Sequence, residues 1–223
     1  VLFRSCETVI VSDCIAKTDT TATANILLPA TGWGEKQGTV TNSERRISRQ
    51  RQLLEPLGEA QHDWWIMSKV AQAMGFEAAF NYQSPHQIFV EHARLSGYKN
   101  TGNRLFDISG LSEISATEYE QLEPIQWPVT AKQPNGVERL FTDRKFNTPS
   151  GRAQFLAIAP QLPQQATNSD FPFVLNTGRI RDQWHTMTRT GRTDRLLEHI
   201  EHPFVAINPV TAEQLDIQDG DLL

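Results

Sequence analysis

A polar run that directly follows an apolar strand pattern offers the densest set of ligand-binding groups in the sequence. Glycine lets a backbone approach a ligand closely, and hydroxyl and guanidinium groups donate several hydrogen bonds to phosphate-type oxygens. The run consists of Thr177, Gly178, Arg179, Ile180, Arg181, Asp182, Gln183, Trp184, His185 and Thr186. Polar hairpin turns use the same residue types, so the residues alone support a binding loop and a hairpin about equally.

Two carboxylates, a serine and a lysine form a second group of candidates. Ser12 and Asp13 end a β-branched apolar run, which is where the ligands of open α/β sheets collect. Lys36 lies in a glycine-rich loop and could meet a phosphate, while Asp63 begins a helix and could accept the paired N–H donors of a guanine edge. Each of these residues also has an ordinary structural role, which the residue types alone favour. Asp13 could form a turn or cap, Lys36 could be solvated, and Asp63 could cap its helix.

No catalytic or metal-binding arrangement has a recognisable sequence context. Cys6 and Cys14 are too few for a disulfide scaffold, a structural zinc site or a four-cysteine cluster. His199 and His202 have the spacing of helical metal ligands, but a proline ends that helix at once and no third ligand is near, so we expect no zinc site. Four arginines within 45–51 lack interleaved aromatic residues, which favours an exposed strand face or the wall of a ligand channel.

Hydrophobic periodicity predicts the elements that must position these groups. Strands are predicted over 7–13 and 26–29, joined by a short helix through Ala24, and this rhythm favours a parallel sheet. Amphipathic helices are predicted over 62–74 and 84–97, each followed or ended by glycine.

The acidic middle of the chain is harder to assign to regular elements. Ser115 begins a capping box for a short third helix. Residues 112–131 contain four glutamates and no lysine or arginine, which predicts a solvated surface segment. We expect 139–155 to form an extended pair of edges.

Composition shifts predict the domain organisation. We interpret 1–5 as a non-native stretch, 6–159 as part of an α/β domain, 160–169 as a linker and 170–223 as a β-rich domain. The last domain is predicted to contain strands at 171–175 and 204–207 and a helix that begins at Pro209 and reaches Leu215. Both ends of the chain are expected to be cut.

Charge and hydropathy exclude some function classes. The chain has 21 lysines and arginines against 26 aspartates and glutamates, a formal net charge of −5, which excludes a general nucleic-acid binder. Its apolar runs are far shorter than the roughly 20 residues of a membrane helix. We therefore expect a soluble chain without a nucleic-acid or membrane partner.

Taken together, the motifs resemble those of the molybdopterin-dinucleotide oxidoreductases of the DMSO reductase family, and within it those of the assimilatory nitrate reductases. The resemblance covers nearly all of the chain after residue 5, and it is the order and spacing of the motifs that make it specific. The motifs are Val11-Ser12-Asp13, Leu28-Pro29 followed by Glu35-Lys36-x-Gly38-Thr39, Asn42-x-Glu44-Arg45-Arg46, Asp63-Trp64-Trp65, Thr148 to Phe155, and Thr177-Gly178-Arg179 running into Trp184-His185-Thr186.

This resemblance implies a fold and a cofactor. The first part would be a partial Rossmann-like α/β domain with a mostly parallel sheet, and the last part a truncated, double-psi-like β-barrel that closes over the pterins. The cofactor would be molybdenum bound by two molybdopterin guanine dinucleotides. Ser12, Asp13, Lys36, Asp63 and the run from 177 to 186 match family positions that contact the dinucleotides.

The resemblance also implies a reaction and partners for the complete enzyme. Nitrate would be reduced to nitrite by oxygen-atom transfer in the cytoplasm, with electrons from an NADH-linked reductase subunit, ferredoxin or flavodoxin. The 4Fe–4S cluster and the molybdenum ligand of the family lie in sequence upstream of these motifs, so we expect this fragment alone to be inactive. A periplasmic nitrate reductase, a formate dehydrogenase alpha subunit and a non-catalytic nucleotide-binding α/β module remain alternatives.

Overall fold

The computed structural model describes residues 3–187, 189–200 and 202–223. Val1 and Leu2 of the predicted non-native stretch, and Thr188 just after the polar run, lie outside the described residues. Contacts divide the chain into two units, 1–158 and 159–223, which we describe separately. The predicted domain boundaries remain predictions.

A short parallel sheet forms the beginning of the first unit, as predicted. Strand β1 (Ile10–Asp13) pairs with β2 (Ile26–Pro29), and Asp13 lies opposite Pro29. The predicted connecting helix is only a 3-10 turn over Thr21–Thr23. A parallel bridge from Ala30 to Gln61 continues the sheet, so three segments end at one edge.

An antiparallel sheet that the sequence analysis did not predict follows the glycine-rich loop. It consists of β3 (Gly38–Thr41), β4 (Arg46–Gln50) and β5 (Ile125–Gln126), in that order. Asn42 closes the turn between β3 and β4, because its Oδ1 accepts from the backbone N–H groups of Glu44 and Arg46, each at 3.0 Å. Side chain to backbone bonds of this kind stabilise turns that contain Asn.

The three helices predicted after the parallel sheet of the first unit are present. They are α1 (Asp63–Ala73), α2 (Pro85–Gly97) and α3 (Ala116–Glu120). The capping box of α3 is confirmed: Ser115 Oγ accepts from the Glu118 N–H at 3.2 Å, and the Ser115 N–H donates to Glu118 Oε2 at 2.7 Å.

The core of the first unit lies between α2, α3 and the antiparallel sheet. Its buried residues are Ile47, Phe89, Ala93, Ile108, Leu111, Tyr119 and Val129. The prediction that 112–131 is a solvated segment is therefore wrong. The four glutamates are exposed, but α3 and the strand region after it turn Tyr119 and Val129 inward to 2% and 1% exposure. Composition averaged over the segment hid this alternation.

Among the arginines of 45–51, Arg49 is buried against the core and Arg45 and Arg46 are half-buried, so they do not form an exposed strand face. The Arg49 side chain is 1% exposed, lies over the Tyr119 ring at 4.0 Å and pairs with the Glu120 carboxylate at 2.9 Å. It also donates to the Gly38 carbonyl. Arg45 donates to the carbonyls of Val137 and Glu138. These arginines are occupied by protein groups.

The region over 139–155 lacks the predicted extended edges, since it consists of turns, bends and irregular segments. Phe141 and Arg144 have φ values of 58° and 59°, which a strand does not tolerate. The Phe141 and Phe146 rings stack at 4.7 Å, which closes the segment on itself.

The second unit contains helices but no strand among its described residues. Helix α4 (Asp194–Leu197) follows a 3-10 turn over Thr190–Arg192, and α5 (Pro209–Gln214) begins after Asn208, whose Oδ1 accepts from the Val210 N–H at 2.9 Å. Helix α5 confirms the predicted helix. The strands predicted at 171–175 and 204–207 are not formed, and the β-barrel is therefore not confirmed. A strand needs a hydrogen-bonded partner, and apolar side chains of 171–175 are exposed instead.

Across the described part of the chain, no helix has the length and apolar character needed to cross a membrane.

The Arg49 cluster generates a stability prediction. Glu120→Gln should lower the free energy of unfolding by about 1–2 kcal/mol, because it leaves a buried guanidinium without its counter-charge while Glu120 itself is half exposed. Glu123→Gln, an exposed residue of the same segment, is the matched control. Urea unfolding measures both variants; equal midpoints would contradict a stabilising role of the Arg49–Glu120 pair.

Candidate functional site

The carboxyl edge of the parallel sheet collects the candidate residues of the first unit. The Ala30 N–H donates to the Asp13 carbonyl at 3.1 Å, and the Thr31 N–H donates to the Gln61 carbonyl at 3.0 Å. These bonds align the ends of three segments that are neighbours in the sheet, so the residues that follow each end share one edge. Ligands of open α/β sheets bind at such an edge.

Asp13 lies at this edge with one carboxylate oxygen available. Its Oδ1 accepts from the Ile15 N–H at 3.1 Å. This is the turn interaction expected if Asp13 has a structural role. Oδ2 has no partner among the described residues. Ser12 is exposed and, as the preceding strand residue, points to the opposite face of the sheet. The structure therefore separates Ser12 from Asp13.

A cavity of about 280 Å³ lies against this edge. It is lined by the loop after β1, the end of β2 and the loop that follows, with Asp13 and Glu35 as its two carboxylates. The Glu35 carboxylate accepts from the Gly32 N–H at 2.6 Å, which fixes the start of the glycine-rich loop. The cavity is near the lower end of the size range of ligand pockets, so it suits one portion of a larger ligand.

Lys36 and Asp63 come together beside this edge. The Lys36 Nζ lies 2.8 Å from Asp63 Oδ2, with the two side chains 29% and 59% exposed. Asp63 is the first residue of α1, but His62 is the N-cap and no side-chain capping hydrogen bond is formed. Capping therefore does not occupy the Asp63 carboxylate, which stays accessible at the positive end of the helix.

His62 and Thr31 are edge residues that the sequence analysis missed. The His62 Nδ1 lies 3.3 Å from the hydroxyl of Thr31, a residue that is 2% exposed. Burial lowers the pKa of His62, while Asp63 opposes that shift. The signal available in the sequence was the position of His62 directly before Asp63 and of Thr31 directly after a predicted strand.

The polar run of the second unit divides into three parts in the structure. Thr177, Gly178 and Arg179 are exposed, and Arg179 has no hydrogen-bond or ion-pair partner among the described residues. Ile180 is half-buried, and Trp184, His185 and Thr186 are exposed. Between these parts, Arg181, Asp182 and Gln183 interact with other protein groups.

Arg181 and Asp182 bind each other and a histidine. Arg181 donates to both Asp182 carboxylate oxygens, at 3.0 and 3.2 Å, and His199 Nδ1 contacts Asp182 Oδ2. The hydrogen bonds from Arg181, and then the contact with His199, hold the pKa of Asp182 below its ordinary value of 3.8. The pair is thus held within the protein, although the Arg181 side chain stays 77% exposed, and contact of Arg181 and Asp182 with a ligand remains a prediction.

Gln183 is buried, with 7% of its surface exposed. Its Nε2 donates to the Leu196 carbonyl at 3.0 Å, and its Oε1 accepts from the Thr190 hydroxyl at 2.6 Å. The amide group is thus hydrogen-bonded at both ends within the protein.

Each unit keeps accessible groups that have the chemistry to bind an anionic or hydroxyl-bearing ligand. In the first unit these are the free Asp13 oxygen, which could accept from a sugar or base donor, and the Lys36–Asp63 pair, which presents a cation beside a carboxylate. In the second unit they are the exposed backbone and side chains from 177 to 179. Cations and backbone N–H groups bind phosphate oxygens, and carboxylates bind amino and hydroxyl donors. Among the described residues, no group of three or more His, Cys, Asp and Glu side chains is placed to hold a metal ion.

Comparison with protein families gives matches at both ends of the chain. Residues 2–73 match the model of the molybdopterin oxidoreductase family, and residues 173–223 match that of the molydopterin dinucleotide binding domain.

Curated proteins provide relatives over nearly the whole chain. It is 49% identical over 217 residues to a nitrate reductase of Klebsiella oxytoca and 42% identical over 223 residues to one of Shewanella frigidimarina. It is also 35% identical over 221 residues to an F420-dependent formate dehydrogenase subunit alpha of Methanocaldococcus jannaschii. The matches cover 97%, 98% and 99% of this chain but 24%, 24% and 30% of those relatives. The chain thus spans 24% to 30% of their length.

Among solved structures, acetylene hydratase from Pelobacter acetylenicus has a similar fold. The TM-score is 0.64 at 19% sequence identity, and the match covers 96% of this chain and 29% of that one.

The Asp182 cluster leads to a pH prediction. Because the pKa of Asp182 is lowered in the folded chain, the stabilisation by its ionised carboxylate is complete above about pH 3.8 and is lost as the pH falls below that value. A carboxyl-carbon NMR titration should place the Asp182 midpoint below 3.8, and Arg181→Met should move it upward. An unchanged midpoint in the variant would show that Arg181 does not stabilise the carboxylate.

Proposed function

The chain belongs to the molybdopterin oxidoreductase family, and we propose that it is part of the catalytic subunit of a molybdenum-dependent nitrate reductase. In this proposal its residues bind the guanine dinucleotides of the molybdenum cofactor. The observation that carries the choice of substrate is the 49% identity to a nitrate reductase over 97% of this chain. The observation that carries the binding role is the shared sheet edge of Asp13, Lys36 and Asp63.

Each accessible group has a defined task in this proposal. The Asp63 carboxylate accepts from the N1–H and amino donors of guanine, and Lys36 orients that carboxylate and neutralises nearby phosphate charge. Asp13 accepts from a sugar hydroxyl through its free oxygen. Arg179 donates to phosphate oxygens, because its guanidinium is exposed and has no partner among the described residues.

The reaction itself depends on the bound cofactor. The molybdenum centre supplies the oxygen-atom transfer that converts nitrate to nitrite, and a 4Fe–4S cluster in another part of the enzyme returns the electrons. The electron donor in this proposal is an NADH-linked reductase subunit, ferredoxin or flavodoxin, and the enzyme is cytoplasmic. The residues of this chain contribute binding and orientation of the nucleotide portions.

We also propose a specific fold for each unit in the complete enzyme. The parallel strands β1 and β2, extended by the bridge at Gln61, are part of a Rossmann-like sheet in the complete enzyme. Residues 170–223 contribute strands to a β-barrel. The match of 173–223 to a dinucleotide-binding domain supports this, as do the exposed apolar side chains of 171–175, which a barrel would bury.

Formate oxidation is the second candidate function. The 35% identity to a formate dehydrogenase alpha subunit over 99% of this chain favours it. Nucleotide-binding residues do not contact the substrate, so the same site geometry serves both reactions.

Steady-state assays of the full-length protein distinguish the two functions. With a reduced one-electron dye, nitrate should be reduced, whereas formate with the oxidised dye should give no turnover. Turnover of formate without turnover of nitrate would replace the first proposal by the second. Absence of molybdenum from the purified protein would exclude both.

Arg179 should be needed to retain the cofactor. Arg179→Ala in the full-length enzyme removes charge-assisted hydrogen bonds worth about 1.5–3 kcal/mol, so cofactor dissociation should accelerate by about tenfold or more. Molybdenum content after dialysis measures this. Arg195→Ala, an exposed arginine of α4, is the control and should behave like the unmodified enzyme. Equal retention by the two variants would remove Arg179 from the site.

Asp63 should select the guanine base. Asp63→Asn replaces an acceptor pair by one acceptor and one donor, so the guanine nucleotide released by acid should decrease by about tenfold relative to protein. Lys36→Met removes the ion pair but keeps the carboxylate, and its smaller loss separates base recognition from pairing. Asp19→Asn is the exposed control. Equal guanine nucleotide content in Asp63→Asn and in the Asp19→Asn control would contradict direct base recognition.

A further inference from the structure

Gln183 is the single buried residue among the described residues of the second unit. An apolar side chain normally takes such a position, because burying an amide requires hydrogen bonds to both its oxygen and its nitrogen. The polar run thus contains the one buried polar side chain among the described residues of this unit. That placement calls for an explanation beyond ligand contact.

The Gln183 amide connects three segments. Its Nε2 donates to the carbonyl of Leu196 in α4, and its Oε1 accepts from the hydroxyl of Thr190 in the 3-10 turn. The same Thr190 hydroxyl oxygen accepts from the backbone N–H of Trp184 at 3.0 Å. A continuous chain of hydrogen bonds therefore runs from α4 through Gln183 and Thr190 back to the backbone of the polar run.

A second tether lies next to the first. Asp182 binds Arg181 and contacts His199, just beyond α4. Residues 181–183 thus use their side chains to attach the run to the 190–199 segment, while Trp184 remains 61% exposed with its ring 5.0 Å from that of His185. Residues 181–183, the inner part of the run, are thus held against the protein. Trp184 and His185, the outer part of the run, are exposed to solvent.

We propose that Gln183 is a positioning residue of the dinucleotide-binding loop: its hydrogen bonds to Thr190 and Leu196 fix the backbone at Trp184, and it acts on the ligand through Trp184 and His185. This inference rests on the proposed function of the loop. It replaces ligand contact by Gln183, which the sequence predicts, with an indirect role. An amide suits that role, because it presents a donor toward the Leu196 carbonyl and an acceptor toward the Thr190 hydroxyl.

The test uses the full-length enzyme with its cofactor, and cofactor dissociation measured as molybdenum and guanine nucleotide lost during dialysis. Gln183→Leu keeps the size of the side chain but removes both hydrogen bonds, and should accelerate dissociation by about tenfold. Thr190→Val should accelerate dissociation to a similar extent. Thr190→Ser keeps the hydroxyl and should retain cofactor like the unmodified enzyme. Gln164→Leu, an exposed glutamine of the same unit, is the matched control.

A double-mutant cycle with His185→Ala separates positioning from a general effect on folding. If Gln183 acts through the outer part of the run, Gln183→Leu adds little to the loss already caused by His185→Ala. If the acceleration of cofactor dissociation in the double variant equals the product of the accelerations in the two single variants, the proposal is overturned. Acceleration in Gln183→Leu without acceleration in Thr190→Val would also overturn it, because that result indicates direct contact of Gln183 with the ligand.

The outcomes also distinguish this proposal from the proposed function. If the unmodified enzyme retains cofactor and the Gln183→Leu variant retains it equally well, only the positioning role is overturned. An unmodified enzyme without molybdenum or guanine nucleotide overturns the proposed function and the positioning role with it.

Discussion

The parallel pairing of β1 with β2 is the constraint on which the site in the first unit depends. In a parallel pair both strands end at the same edge of the sheet, so the pairing itself brings together the residues that follow them. The bridge from Ala30 to Gln61 adds a third segment to this edge and carries Asp63 to within 2.8 Å of Lys36. A change of register by one residue would turn the Asp13 side chain to the opposite face.

The buried guanidinium of Arg49 is paired, and ion pairs also form between exposed side chains in both units. Arg49 is enclosed by Glu120 and Tyr119, and Arg181 and Asp182 neutralise each other. Arg179 is left exposed. Burying an unpaired charge costs far more than exposing one, so the cations that remain unpaired lie on the surface where an anion can reach them.

The sequence was most informative where a local signal and a packed element coincide. The helices at 63–73 and 85–97 have clear apolar spacing and glycine at or just beyond their ends, and the capping box at Ser115 depends on neighbouring residues only. Their positions follow from the chain itself. The residues at the carboxyl edge were likewise predictable as strand ends, although their mutual distances were not.

Predictions failed where the outcome depends on residues far apart in the chain. Arg49 reads as a surface charge until Tyr119 and Glu120, some 70 positions later, enclose it. Strands at 171–175 and 204–207 satisfy local preference, but no described residue of the second unit pairs with them. The buried amide of Gln183 carried no sequence signal, because its partners Thr190 and Leu196 are identified only by the fold.

If the carboxyl edge of the parallel sheet binds a guanine dinucleotide of the molybdenum cofactor, its backbone should be protected when the cofactor is bound. Hydrogen-exchange mass spectrometry of the full-length protein, loaded with cofactor and freed from it, measures this protection. We expect slower exchange in the loaded protein for peptides over 13–16, 35–38 and 61–64, with helix α2 unchanged. Equal exchange of those three peptides in both states would contradict binding at this edge.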